Sequence, residues 1–417
     1  MLASYMRRFY RYIKKIVTFI LGMKRYSIDA FLSQPYIKHA NVSLLVVDAR
    51  TGNTVFEHRS DKGTSPASNM KILTTATALE ILGPTFCFPT YIESDGDINK
   101  NGQLTGNLYI RGFGDPTLGS SYFTKTSILN QWAQKLIDFG IKSIKGKVIL
   151  DTSFFSNEEL NPQWIVDDIN SGSAQRMSAI CYRDNSEPDF LCQFETDFID
   201  SLKKVGINYS PVDLLINSQR RVLFVHNSPS LAELIKIINY DSNNFYAEQI
   251  FRYLGGQMVK PATIDNSIKT IRNYWHNKKI SILTSIVSDG SGMAPQNSLN
   301  AKTLVEILQY MAHSGNFQTF LDSLPLSGES GTLADFMKNT QLSGRIYAKS
   351  GTTQRTKAYS GYIQTKDKSF MKYIFSIIIN NPISDSFNGN PAFLPQYVQP
   401  EIEKFLLYTD QLDKNNK

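Results

Sequence analysis

The chain has 417 residues, 41% apolar and 19% charged, an ordinary globular composition long enough for two domains. Its net charge of +7 is mild and both signs are scattered along the chain, so nothing marks a nucleic-acid-binding surface. There is no zinc-like Cys/His cluster, Walker loop or dinucleotide fingerprint, and Gly112-Phe113-Gly114 lacks a third glycine at the right spacing, so no metal, nucleotide or other cofactor is implied.

At the N-terminus, Arg7, Arg8, Arg11, Lys14 and Lys15 precede a short apolar run at 16–23. The pattern is that of an export signal without a small-x-small cleavage site, and the run is far too short to span a membrane. Phe9, Ile13, Ile16, Val17 and Ile20 also share one helical face. Residues 1–27 therefore read as a basic leader or a membrane-associated amphipathic segment. Residues 41–49 and 53–58 predict a hairpin around Thr51-Gly52. After the loop Gly63-Thr64-Ser65-Pro66-Ala67, the apolar spacing Met70, Ile72, Leu73, Ala76, Leu79 and Leu82 predicts a helix with one apolar face, closed by Gly83-Pro84. Strands are expected at 86–92 and 107–111 on either side of a polar turn at 94–102. A helix at 128–139 and a strand at 147–151 follow, then a polar, irregular stretch at 157–187. A helix at 195–205 and two short strands come next. Helical patterns resume from about Leu231 and through 240–254, then at 264–276 and 301–313, with a strand at 280–287 between these last two. Strands at 345–348, 359–364 and 371–380 and a helix at 400–409 complete the chain.

Cys87, Cys181 and Cys192 form no disulfide framework. Cys181 and Cys192 could bridge a small loop in an oxidising compartment, and buried free thiols are the equal alternative.

The chemistry concentrates in three short motifs. Ser68-Asn69-Met70-Lys71 reads Ser-x-x-Lys, Ser242-Asn243-Asn244 reads Ser-x-Asn, and Lys349-Ser350-Gly351-Thr352 reads Lys-Ser/Thr-Gly, in that order. Each alone is weak. Ser-x-x-Lys recurs at Ser201–Lys204 and Ser369–Lys372, and Ser-x-Asn at Ser298–Asn300 and Ser386–Asn388. Context selects among them. Ser68 sits where a loop enters a helix, so free N–H groups and the helix dipole favour negative charge developing there. Lys71 lies one turn on, close enough to share a proton with the Ser68 hydroxyl. Ser201 falls in mid-helix and Ser369 before a strand, and both read as solvated surface. Lys349 follows a short strand, and Gly351 has no side chain to keep a substrate from the backbone. Ser68 and Ser242 are far apart in sequence yet must line one cleft, so the β-rich stretch between them reads as an inserted domain.

With these motifs in place the sequence resembles the class C low-molecular-mass penicillin-binding proteins, the DacB-type D-alanyl-D-alanine carboxypeptidase/endopeptidases. The resemblance covers nearly everything after about residue 40. It rests also on Leu82-Gly83-Pro84, on the run from Arg111 to Leu118, on Leu150-Asp151-Thr152-Ser153-Phe154-Phe155, on Asp289-Gly290-Ser291-Gly292-Met293 and on Leu324-Pro325-Leu326-Ser327-Gly328. It implies an α+β fold, a transpeptidase-like domain of the penicillin-binding-protein/β-lactamase type with an antiparallel sheet flanked by helices. The expected limits are 28–84 and 221–417 for its two parts and 85–220 for an inserted α+β domain. The region 184–195 is too short for the third, nested domain that relatives carry. Ser350 stands where many relatives have Thr, and the run Met293-Ala294-Pro295-Gln296 lacks the Arg that helps relatives bind the peptide stem.

The expected roles follow from chemistry and resemblance together. Ser68 is the nucleophile, and Lys71 the general base, its amine kept neutral by burial and by nearby Lys349. Ser242 relays the proton to the leaving amine, while Asn244 holds the substrate amide and orients Lys71. The resemblance implies an oxyanion site formed by the N–H groups of Ser68 and Thr352. It also implies that Lys349 and the Ser350 and Thr352 hydroxyls hold a terminal carboxylate beside Gly351, with Asp151 and Gln354 toward the peptide stem. The expected reaction is cleavage of the terminal D-Ala-D-Ala bond of peptidoglycan stem peptides, and of D-Ala cross-links, outside the cytoplasm, with β-lactams as covalent inhibitors. A β-lactamase or esterase, a non-catalytic wall-binding protein and a hydrolase of other peptides are the alternatives.

Overall fold

A computed structural model describes residues 27–123, 127–214, 219–382 and 395–412. The expected basic segment at 1–27 lies almost wholly outside the described residues. Strands are β1 (Asn41–Asp48), β2 (Thr54–His58), β3 (Pro89–Ser94), β4 (Asp97–Ile98), β5 (Gln103–Thr105), β6 (Leu108–Gly112), β7 (Ser143–Lys145), β8 (Val148–Asp151), β9 (Asn208–Ser210), β10 (Arg221–Asn227), β11 (Ile346–Thr353), β12 (Thr356–Gln364) and β13 (Met371–Asn380). Among the described residues no helix is long and apolar enough to cross a membrane.

Two compact units emerge, one of Met1–Ala67, Asn300–Val305 and Pro325–Lys417, the other of Ser68–Leu299 and Glu306–Leu324. The first holds a five-stranded antiparallel sheet in the order β11-β12-β13-β1-β2. Alternate residues of β1 and β13, among them Leu44, Val46, Phe375 and Ile377, are fully buried on one face against Phe31 and against Val398, Ile402 and Phe405 of the last helix, Pro395–Gln411. The predicted hairpin at Thr51-Gly52 forms, with Gly52 in the left-handed region at φ 73°.

The second unit holds two four-stranded sheets, β10-β3-β6-β8 and β4-β5-β7-β9, with parallel pairing at β6–β8, β5–β7 and β7–β9. Helices Ile128–Asp138 and Phe190–Lys204 cover them through Trp132, Phe194 and Phe198. Helices Met70–Leu82, Leu231–Tyr240, Asn244–Gly255, Ile264–Asn277 and Phe317–Ser323 belong to the same unit.

Several expectations need correction. Residues 280–287 form no strand, only one bridge from Ile286 to Ser298, and Leu283 and Ile286 are exposed. Their β-branched residues found no partner strand. The Met70–Leu82 helix has no solvent face over its first ten residues, all of them buried. Thr75 and Thr77 donate to carbonyls one turn back at 2.6 Å, so their hydroxyls are satisfied without water. The turn at 94–102 carries β4 and leads straight into β5, the 195–205 helix begins at Phe190, and the last helix begins at Pro395 with Pro400 inside it. Ser201 is buried rather than solvated, donating to the Asp197 carbonyl. Cys181 is buried and Cys192 exposed, and neither is bridged.

Candidate active site

Ser68 lies in a single 3-10 turn, Ala67–Asn69, immediately before the Met70–Leu82 helix. Ala67 is held at φ 47°, in the left-handed region that non-glycine residues seldom occupy. Such strain, of order 1–3 kcal/mol, tends to mark functional turns. Ser68 is half-buried and Lys71 wholly buried. The Lys71 Nζ is 3.0 Å from Ser68 Oγ, 2.7 Å from Asn244 Oδ1 and 2.8 Å from the Ser291 carbonyl oxygen.

These three partners decide what a neutral amine does there. The Asn244 and Ser291 oxygens can only accept, so they take both of its protons. Its lone pair is left for Ser68, the one partner whose hydroxyl can donate.

Asn244 reaches this position because Asn243, the middle residue of its motif, is the N-cap of the Asn244–Gly255 helix, its side chain accepting from Tyr246 N at 3.0 Å. The Asn244 Nδ2 donates to the Ser173 carbonyl at 3.2 Å, which fixes the amide with its oxygen toward Lys71. Ser242 precedes the cap at φ 61°, a second left-handed residue beside a motif.

The Ser291 carbonyl belongs to a loop that the sequence offered only as a family resemblance. Gly290 N and Ser291 N donate to Glu248 Oε1 at 3.0 and 2.7 Å. Thr74, on the nucleophile's helix, donates to the Gly290 carbonyl at 2.7 Å. Asp289 is buried with four donors: Gly292 N (2.8 Å) and Asn297 Nδ2 (2.6 Å) on Oδ1, Ala294 N (2.6 Å) and Trp164 Nε1 (3.0 Å) on Oδ2. Asn161 Nδ2 donates to the Ser288 carbonyl at 2.7 Å. The irregular 157–187 stretch thus braces this loop.

Burial drives the Lys71 amine down to about 7, with Asp289 and Glu248 pulling the other way. Burial and the neighbouring Asp289 push the Glu248 carboxyl well above the usual range. Asp289 entered the sequence reading only within the run Asp289–Met293, with no role assigned, and Glu248 was not singled out. The available signal was a lone carboxylate four residues after Asn244, amid Phe245, Ala247, Ile250 and Phe251.

The third motif lies within β11, the edge strand of the first unit's sheet. Lys349 is buried and donates to the Ser350 carbonyl at 2.9 Å. Ser350 Oγ donates to Thr332 Oγ1 at 2.9 Å, and the exposed Thr352 accepts from Lys357 Nζ at 3.1 Å. Gln354 is exposed in the two-residue turn joining β11 to β12. Asp151 ends β8, and its contacts are with Ser153 and Arg220 rather than with the Ser68 group. Although burial opposes it, these hydrogen bonds hold its carboxyl below the usual range. The structure therefore brings Ser68, Lys71 and Asn244 into direct contact, Lys349 to Thr352 onto one strand, and Asp151 into a separate ion pair.

The D-Ala-D-Ala carboxypeptidase 3 (S13) family matches this chain over residues 24–189 and 192–392. A D-alanyl-D-alanine carboxypeptidase of Actinomadura sp. (strain R39) is 24% identical over 446 aligned positions, covering 85% of this chain and 80% of the relative. The crystal structure of penicillin binding protein 4 (dacB) from Haemophilus influenzae superposes with a TM-score of 0.77 at 21% identity, over 92% of this chain and 100% of that one. The same protein complexed with a β-lactam gives 0.70 at 21% identity, over 91% and 99%. At these identities the solved structures establish the fold.

Proposed function

Since the chain belongs to the D-Ala-D-Ala carboxypeptidase 3 (S13) family and is a serine D-Ala-D-Ala carboxypeptidase acting on peptidoglycan, we propose that it works through an acyl-enzyme on Ser68. The observation that carries this reading is the Lys71 amine, 3.0 Å from Ser68 Oγ and committed elsewhere to two oxygens that can only accept.

The Lys71 lone pair takes the Ser68 proton as Oγ attacks the carbonyl of the penultimate D-Ala. An amine that titrates near 7 is about half in its neutral, proton-accepting form at neutral pH and is acidic enough to return the proton. The developing oxyanion sits between the N–H groups of Ser68 and Thr352. Ser242 passes the proton to the departing D-Ala amine, whose bond to carbon breaks as the acyl-enzyme forms. The second proton of Asn244 Nδ2 is available to the substrate amide. The stem peptide extends along β11, an edge strand, past Gly351, with its terminal carboxylate held by Lys349, Ser350 and Thr352. Gln354 and Asp151 serve the stem. Water then releases the shortened peptide from Ser68. The same steps cleave D-Ala cross-links, so endopeptidase activity accompanies the carboxypeptidase. β-Lactams, which share the reactive carbonyl, acylate Ser68. Residues 85–220 form the inserted domain, and the protein acts outside the cytoplasm, where its substrate lies.

The test is release of D-alanine from a stem pentapeptide ending in D-Ala-D-Ala, with Ser68→Ala as control. Release by wild type and not by the variant supports the reading, and equal release by both sinks it.

A further inference from the structure

Two buried carboxylates surround the Lys71 amine, and the reaction as written gives neither a task. Glu248 sits on the Asn244–Gly255 helix, one turn beyond the residue that accepts from Lys71. Its Oε1 receives the Gly290 and Ser291 N–H groups, and the next carbonyl, that of Ser291, accepts from Lys71 at 2.8 Å. One carboxylate thus ties the helix of the second motif to the loop that aims the lysine of the first. Asp289 anchors that loop from behind through four donors. Both side chains are almost fully buried.

We propose that Glu248 and Asp289 are positioning residues for Lys71: their hydrogen bonds fix the Ser291 carbonyl that leaves the amine's lone pair facing Ser68, and the Asp289 carboxylate favours the ammonium that forms when Ser68 gives up its proton. The inference rests on Lys71 acting as the base. Burial alone draws a lysine down to about 5–6, where it would be too weak a base to take a serine proton. Two adjacent carboxylates offset part of that, as the value of about 7 reflects. Behind them lies Arg252, buried on the same helix as Glu248, which donates to the Glu158 carbonyl at 2.8 Å and to its carboxylate at 3.4 Å. Arg252 thus faces Glu248 and Glu158, while the charges acting on the amine itself are Asp289 and Glu248.

The experiment is the rate of Ser68 acylation by a fluorescent penicillin as a function of pH, for wild type, Glu248→Gln and Asp289→Asn. Wild type should lose about tenfold in rate per pH unit below a midpoint near 7. Asp289→Asn removes negative charge while keeping an acceptor oxygen, so its midpoint should move down by about one unit; the Glu248 carboxyl is already held toward its neutral form, so Glu248→Gln should move the midpoint less. A purely structural role would lower the plateau and leave the midpoint where it is, and an unmoved or raised midpoint in Asp289→Asn overturns the proposal. Should neither variant fold, wild type still decides: a midpoint at about 5–6, the level of a buried lysine without carboxylate neighbours, contradicts it. Absence of any Ser68 adduct in wild type at every pH would instead overturn the proposed reaction itself.

Discussion

Replacing Lys71 by methionine removes the amine and keeps most of its volume, so it reads the free energy of burying that charge. In the folded chain burial pulls the amine from an ordinary 10.5 to about 7, against Asp289 and Glu248. Between those values the unfolded chain holds one more proton than the folded one. Stability therefore rises with pH through the window, and below about 7 the cost of the buried charge is felt in full. The slope is about 1.4 kcal/mol per pH unit, so this one group should add about 2 kcal/mol between about pH 8 and about pH 9.5. Glu248 has the opposite sign: its folded value is raised, so its contribution is lost as pH climbs through that value. Both proteins carry Glu248, so the comparison reads the Lys71 contribution. Urea denaturation of both proteins at the two pH values measures it. Wild type should gain about 2 kcal/mol relative to Lys71→Met. A parallel change in both would mean that the amine titrates normally, and would refute the neutral-lysine mechanism.

Asn244→Ala removes one of the two oxygens that hold the amine's protons and should slow Ser68 acylation by about 100-fold, read as the second-order rate with a fluorescent penicillin. At Gly290 an added Cβ would stand 2.4 Å from Phe251 Cβ and 2.9 Å from the Ala247 carbonyl. Gly290→Ala should therefore cost about 1–3 kcal/mol by denaturation and shift the Ser291 carbonyl, lowering acylation at every pH. Thr77 Oγ1 accepts from Trp275 Nε1 at 2.8 Å in a buried setting, so Thr77→Val should cost about 1–3 kcal/mol of stability while leaving acylation of the folded fraction intact.

What the sequence revealed and what it hid divide along physical lines. Local signals held where a turn residue and a period agreed. Thr51-Gly52 and its flanking apolar residues placed β1 and β2, and the loop-to-helix step placed Ser68. Patterns misled where partners are remote. The β-branched run at 280–287 looked like a strand but meets only Ser298, and a strand exists only if another pairs with it. The Met70–Leu82 helix was expected to have one apolar face, yet its first ten residues are all buried, and Thr75 and Thr77 bond their own backbone there. The same limit governs the site. Lys71 and Ser68 are one turn apart and could be paired on paper, whereas Ser173, Glu248, Asp289 and Trp164 come to the amine's surroundings from distant segments. Nearby Lys349 was expected to help lower the lysine's proton affinity. The charges found to act on Lys71 are carboxylates, and they raise it.

The central claim is that Ser68 forms a covalent acyl-enzyme. Wild type and Ser68→Ala are incubated with benzylpenicillin, digested and mapped by mass spectrometry. The account predicts one penicilloyl adduct, on the peptide containing Ser68, and none in the variant. An unmodified Ser68 peptide in active wild type, or an adduct that survives in Ser68→Ala, would contradict it.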